Sequence, residues 1–256
     1  MNIKYTLGAI VSVPLLPLLY FQGKKIRNTI PQLPEATGNE GIVETSNKTS
    51  FQLITIGEST IAGVGVKTHE TGFTGTLANS LSTLLDTSIS WKVYAKSGYT
   101  AKRVNDKIIQ RITEKPIDLI VIGLGGNDSF KLHSPKKWNA AIRKLIATIR
   151  EKYPKAPIVF INMPPIKEFP AFTGPIKFVI GNLVVLLGKE LEKVVNDYEN
   201  VHYYSRTITY EDFIDRMNLN VTPADFFSDG VHPSELAYQV WARDVANYIK
   251  EQQILT

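Results

Sequence analysis

Near the carboxyl end of the chain, an acid and an imidazole stand three residues apart in Asp229-Gly230-Val231-His232-Pro233. An aspartate that accepts a hydrogen bond from one ring nitrogen fixes the histidine tautomer and leaves the other nitrogen ready to take a proton. The chain has four histidines, and the other three lack such an acid in a turn. This segment predicts a general base, His232, oriented by Asp229. A turn before a helix, with an incidental histidine, is the alternative.

A candidate nucleophile follows the apolar run 51–56, in the segment Gly57-Glu58-Ser59. A serine at the carboxyl end of a strand, in a turn that opens a helix, is exposed at the cleft. We therefore expect the backbone N–H of Ser59 near a helix N-terminus, which favours an anion. That geometry suits a nucleophile whose attack creates an oxyanion. A simple helix N-cap is the alternative for Ser59.

Two more turns offer hydrogen-bond donors. The run 117–122 leads into a glycine-rich turn that ends at Asn127, whose side-chain amide can donate to developing negative charge. After the next predicted strand upstream, Gly98 offers a backbone N–H for the same purpose. A capping turn at Asn127 and a plain turn at Gly98 are the alternatives. The turn before Asn127 lacks the G-x-G-x-x-G spacing of a dinucleotide site.

Short apolar runs that alternate with helical patterns must position these residues. Predicted strands are Phe51–Ile56, Trp91–Ala95, Leu119–Ile122, Ile158–Ile161 and Val201–Tyr204, and predicted helices cover 73–85, 101–115, 135–153, 176–198 and 234–252. This alternation predicts a three-layer α/β/α, doubly wound fold with a mostly parallel five-stranded sheet. The carboxyl ends of such strands meet at one cleft, so we expect the candidate residues to converge there.

The first residues differ from the rest of the chain. Tyr5–Phe21 is a run of 17 residues without charge, close to the length that spans a bilayer. No small-x-small cleavage pattern follows it, so we predict an uncleaved membrane anchor over 1–27, a linker over 28–50 and a catalytic domain over 51–256. A buried N-terminal helix is the alternative for the anchor. The basic flank at 24–27 favours a cytoplasmic domain, but only by a margin of about one charge, so the side of the membrane stays open.

Charge and composition restrict the possible partners. Of the net charge of +5, four units come from Lys4, Lys24, Lys25 and Arg27, so the rest of the chain is close to neutral. We therefore predict no nucleic-acid partner. The chain has no cysteine, which excludes disulfides, thiolate metal sites and cysteine nucleophiles. The apolar stretch Phe178–Leu187 predicts a helix packed on the sheet or, alternatively, a membrane-facing or acyl-binding surface.

Taken together, these segments resemble the SGNH hydrolase superfamily, also called GDSL lipases and esterases, over about residues 51–250. The first block of that family corresponds to Gly57-Glu58-Ser59-Thr60-Ile61-Ala62-Gly63, its G-x-N-D block to Gly125–Asp128, and its D-x-x-H block to Asp229–His232. Glu58 stands where the family usually has aspartate. Its expected role is to support the turn, so the longer side chain puts the placement of Ser59 in doubt.

The resemblance implies a flavodoxin-like fold and a hydrolase that cleaves carboxylic esters through an acyl-enzyme, without metal or cofactor. The implied catalytic residues are Ser59, Asp229 and His232, and the implied oxyanion hole is formed by Ser59, Gly98 and Asn127. Met163–Pro165 is expected to line the substrate pocket. A thioesterase and a cell-envelope carbohydrate deacetylase share the same residues and stay open. A catalytically silent binding module tethered to the membrane is the alternative of another class.

Overall fold

The computed structural model describes residues 3–47, 49–206, 209–216 and 218–255. The strands of this part of the chain are β1 (Glu40–Val43), β2 (Ser50–Gly57), β3 (Ser88–Ala95), β4 (Leu119–Gly123), β5 (Ile158–Phe160) and β6 (Val201–Tyr203). They form one mixed sheet in the order β1-β3-β2-β4-β5-β6. The last five strands of that order are all parallel. Apart from its first strand, the sheet has the flavodoxin-like order, as predicted.

Helices cover both faces of the sheet. Those of the described residues are α1 (Ile3–Ser12), α2 (Leu16–Thr29), α3 (Phe73–Leu85), α4 (Ala101–Lys107), α5 (Gly126–Phe130), α6 (Pro135–Lys152), α7 (Gly174–Val195), α8 (Tyr210–Arg216) and α9 (Glu235–Glu251). Alternation along the strands assigns the faces, since successive side chains point to opposite sides. Leu53 packs in the cluster formed with α3 and α9, whereas Ile54 packs with α4, α6 and α7. The prediction of an α/β fold with helices on both sides is confirmed.

The prediction of five strands was wrong, because β1 adds a sixth strand. This strand lies antiparallel to β3, with Glu40 opposite Lys92 and Val43 opposite Ile89. Just before β1, Ala36 is buried in the core, and its N–H donates to Ala62 O at 2.9 Å. Part of the predicted linker 28–50 is therefore attached to the sheet. A strand of four residues among glycine and polar residues carries too little periodicity to be recognised from the sequence.

The N-terminal helices pack along α7. Leu15, Leu19 and Ile26 contact the apolar cluster that α7 forms with the loop before it, and Thr173 Oγ1 donates to Gln22 Oε1 at 2.6 Å. The helical segment Tyr5–Thr29 is long and apolar enough to cross a membrane, a property that signal sequences share. Many of its apolar side chains are exposed, among them Leu7 and Phe21. The division into anchor, linker and domain stays a prediction; residues 1, 2, 48, 207, 208, 217 and 256 of those ranges lie outside the described part.

Candidate active site

Ser59 follows β2 at the carboxyl edge of the sheet. Gly57, at the end of β2, lies opposite Gly123 of β4, and a Cβ atom on Gly57 would come within 2.4 Å of Gly123 O. Two glycines therefore let the strand ends approach closely under the serine. The predicted helix after Ser59 was wrong. Residues 59–65 form turns, because Gly63 and Gly65 have φ of +68° and +110°, which end any right-handed helix.

Asp229 and His232 are directly paired. Asp229 Oδ2 lies 2.7 Å from His232 Nδ1, while Asp229 Oδ1 accepts the backbone N–H groups of Val231 at 2.9 Å and of His232 at 2.7 Å. Burial alone would raise the pKa of Asp229, but the hydrogen bonds from His232 and Val231 and the His232 charge outweigh it and lower the pKa. The aspartate is therefore ionised at neutral pH and orients the ring with Nε2 as its free nitrogen.

The Glu58 carboxylate holds the Asn127 turn against the serine loop. Glu58 Oε1 accepts the N–H of Gly126 at 2.7 Å, and Glu58 Oε2 accepts the N–H of Asn127 at 2.9 Å and its side-chain amide at 2.5 Å. Burial raises the pKa of Glu58 to about 7, against the lowering effect of these bonds. The longer carboxylate thus still supports the turn, which is the role expected of this position.

The Asn127 amide is fully engaged in this structure. Besides the bond to Glu58, its Nδ2 donates to Tyr99 O at 3.2 Å. An asparagine amide has two N–H donors, so both already have acceptors. For Asn127 to donate to an oxyanion, one of these contacts must be exchanged or shared. The sequence pattern located this residue but not its competing partners.

Two further carboxylates, neither of them among the predicted site residues, hold the neighbouring loops in place through hydrogen bonds. The buried Asp128 accepts the N–H of Ala101 at 2.9 Å with Oδ2 and pairs with His133 Nδ1 at 2.8 Å through Oδ1. Asp128 therefore links the Asn127 turn to the start of α4. His133 therefore has an acidic partner five residues upstream, although not in a short turn like that of Asp229 and His232.

The second of these carboxylates is Glu35, which holds the loop that contains Gly98. Its Oε1 accepts the Ser97 N–H at 2.7 Å, and its Oε2 pairs with Lys96 Nζ at 2.9 Å. Gly98 itself has φ of +80°, a conformation that favours glycine. The segment predicted as a linker thus positions one of the predicted oxyanion loops. A salt bridge between residues 61 apart leaves no local sequence signal.

One cavity of about 220 Å³ gathers the predicted site residues. Ser59, Gly98, Asn127 and His232 all line it, and Asp229 lies behind His232. Its remaining wall is mainly apolar and includes Phe130, Pro164, Pro165, Ile166, Phe169, Phe213, Val231 and Trp241. Pro164 and Pro165 were expected here, whereas Met163 lines a neighbouring cavity instead. The cavity therefore joins a candidate nucleophile, base and amide donor to an apolar surface.

The fold belongs to the class of three-layer α/β/α proteins with a flavodoxin-like sheet. Residues 55–240 match the model of the GDSL-like lipase/acylhydrolase family, and the chain belongs to this family. It is accordingly an ester hydrolase that acts on carboxylic esters.

Solved structures share this fold at low sequence identity. TesA has a TM-score of 0.59 at 18% identity, covering 80% of this chain and 99% of that chain. The family 3 carbohydrate esterase of Clostridium thermocellum has a TM-score of 0.57 at 16% identity, covering 80% of this chain and 97% of that chain. The lipase Lip_vut3 from a goat rumen metagenome has a TM-score of 0.56 at 19% identity, covering 77% of this chain and 98% of that chain. A search of curated proteins finds no match. These likenesses concern the fold, since every identity is low.

Proposed function

We propose that this ester hydrolase works through a covalent acyl-enzyme on Ser59, with His232 as general base and Asp229 as the residue that orients it. The observation that carries the proposal is the 2.7 Å contact between Asp229 Oδ2 and His232 Nδ1, on a ring that lines the same cavity as Ser59. A carboxylate on Nδ1 leaves Nε2 unprotonated in the neutral ring, which is the form that accepts the serine proton.

In the first half of the reaction, Ser59 Oγ attacks the ester carbonyl carbon while His232 Nε2 takes its proton. The ionised Asp229 stabilises the imidazolium that forms. Collapse of the tetrahedral intermediate expels the alcohol, which receives the proton from His232. In the second half, water attacks the acyl-enzyme with His232 again as base, and the carboxylic acid and free Ser59 are released.

The oxyanion is assigned to the backbone N–H groups of Ser59 and Gly98 and to the Asn127 amide. The positive φ of Gly98 and the Glu35 brace on its loop support this assignment, because a preorganised donor stabilises developing charge without rearrangement. Asn127 joins by exchanging one of its present acceptors, Glu58 or Tyr99, for the oxyanion.

The cavity wall favours an apolar acyl group over a carbohydrate ester. Phe169, Phe213 and Trp241 line the cavity beside the catalytic residues. A binding site for a sugar would need several polar groups to replace the water bound to its hydroxyls. We therefore place a fatty acyl ester before the deacetylase alternative.

Labelling with a fluorophosphonate, followed by peptide mapping, tests the proposal. We expect the label on Ser59 and none on Ser97, which lines the same cavity but has no general base assigned to it. Ser59→Ala should abolish labelling and lower hydrolysis of p-nitrophenyl acetate by about 10⁴-fold or more. Equal hydrolysis by both proteins, or a label on Ser97, would overturn the assignment.

A further inference from the structure

A second cavity, of about 840 Å³, adjoins the catalytic one. The two share four lining residues, Asn127, Phe130, Val231 and His232. One long wall of the second cavity is formed by α2. We call the part between α2 and the opposite wall the α2 groove, defined by Leu16, Leu19, Gly23 and Ile26 on one side and Phe172, Ile176 and Ile180 on the other. A ligand in this groove would have one end beside His232.

The residues that define the α2 groove are apolar, while Lys24, Arg27, Asn28 and Gln32 also line the same cavity. The α2 residues of the groove follow helical spacing, so they share one face that extends roughly 15 Å from Leu16 to Ile26. Leu19 and Ile26 pack against the cluster that contains Ile176 and Ile180. A Cβ atom on Gly23 would meet nothing within 4 Å, so the groove is open at this position. An open apolar channel of this length suits an unbranched hydrocarbon chain.

The outer face of α1 and α2, on the side away from α7, is also apolar. Exposed side chains there include Leu7, Ile10, Val11, Leu18 and Phe21. The basic residues Lys24, Lys25 and Arg27 follow along the chain; Lys25 is exposed outside the cavity, whereas Lys24 and Arg27 line it. Exposed apolar residues beside basic ones are typical of a helix that lies in a membrane interface, whereas soluble surfaces rarely expose a contiguous apolar patch. The groove therefore opens beside a surface suited to contact a bilayer.

We propose that the α2 groove binds the acyl chain of an ester lipid taken from a bilayer, and so directs its ester group to Ser59 and His232. This inference rests on the proposed function, because only a serine at that end of the groove makes the orientation productive. It assigns α2 to substrate binding in addition to the predicted membrane attachment.

The test uses one groove residue and one matched control in the full chain. Leu19 lines the groove, whereas Ile42 is exposed on β1, away from both the groove and the N-terminal helices. Each is replaced by tryptophan, and kcat/KM is measured for p-nitrophenyl dodecanoate carried in phosphatidylcholine vesicles and for soluble p-nitrophenyl acetate. Leu19→Trp should lower the dodecanoate-to-acetate ratio about tenfold or more, the effect of losing the burial of roughly two methylenes. Ile42→Trp should leave that ratio unchanged.

Gly23→Leu provides a second variant in which folding is favoured. It fills the open part of the groove and replaces glycine with a better helix former, so it should lower the ratio as well. Equal ratios in Leu19→Trp, Gly23→Leu and wild type, or an equal loss in Ile42→Trp, would overturn the groove assignment while acetate hydrolysis leaves the esterase proposal standing. Absence of hydrolysis of either ester by the wild type would instead refute the proposed function.

Discussion

Glu58 and Asp229 receive nearly the same hydrogen bonds. Each carboxylate accepts two backbone N–H groups and one side-chain N–H, at distances between 2.5 and 2.9 Å. Yet the pKa of Glu58 is raised to about 7 and the pKa of Asp229 is lowered. Hydrogen bonds alone therefore do not decide which carboxyl group is ionised.

Burial is the largest effect on the pKa at both positions, and it is more complete at Glu58, which is buried, than at Asp229, which is half-buried. The neighbouring groups add to this difference. Beside Glu58 stands a second carboxylate, Asp128, which disfavours another negative charge. Beside Asp229 stands an imidazole, His232, whose positive form favours it. The comparison teaches that the charge state follows burial and the neighbouring charge rather than the number of hydrogen bonds. In our interpretation Asp229 stabilises the positive charge that forms on His232 during the reaction, whereas Glu58 fixes the shape of the loop that contains Asn127.

The largest expected effect comes from removing the Asp229 charge while keeping its shape. Asp229→Asn should lower kcat for p-nitrophenyl acetate by about 10⁴-fold, because an amide at this position favours the wrong histidine tautomer. Steady-state kinetics at pH 7 measures it, and unfolding in denaturant verifies that the fold is intact. Near wild-type kcat in a folded Asp229→Asn protein would show that His232 does not need this partner.

A smaller effect on kcat is expected from replacing Asn127, whose amide donates to Glu58. Asn127→Ala should lower kcat about 10²–10³-fold with little change in KM, because it removes a donor that acts mainly in the transition state. The kinetics of Asn127→Ala are compared with those of Glu58→Gln, which removes the carboxylate that holds the loop but keeps the Asn127 amide. If both variants lose the same activity, Asn127 serves the loop rather than the oxyanion.

The smallest effect concerns stability as a function of pH. Because folding raises the pKa of Glu58 from 4.5 to about 7, the folded protein binds this proton more tightly, and the associated stability is lost as pH rises through about 7. Relative to Glu58→Gln, the wild type should lose roughly 3 kcal/mol of unfolding free energy between pH 4.5 and 8, at about 1.4 kcal/mol per pKa unit.

Urea unfolding of both proteins at intervals across that range measures the difference. The buried His69, whose pKa is lowered to about 4, destabilises the fold in acid, but it is present in both proteins and cancels. Parallel stability curves would show that folding leaves the pKa of Glu58 unchanged.

Much of this molecule was predictable because strong local patterns decide it. The helix over 73–85 has the predicted bounds, and five strands lie within a few residues of their predictions. By contrast, β1 is too short to carry a periodic signal. The turn after Ser59 depends on the positive φ of Gly63 and Gly65, and the sequence shows that these residues are glycines but not which φ they adopt. The short helices α5 and α8 were not predicted, since five to seven residues contain too few turns for a pattern.

The sequence by itself determined the types of the reacting groups, their order and the strands that bring them to one edge of the sheet, because apolar periodicity and turn residues are local properties of the chain. Only the tertiary structure decided the contacts between distant segments. Glu58 on Asn127, Glu35 on the Gly98 loop and the α2 groove beside His232 all join such segments. Their geometry depends on how helices and loops pack over the sheet, and no spacing within one segment encodes it.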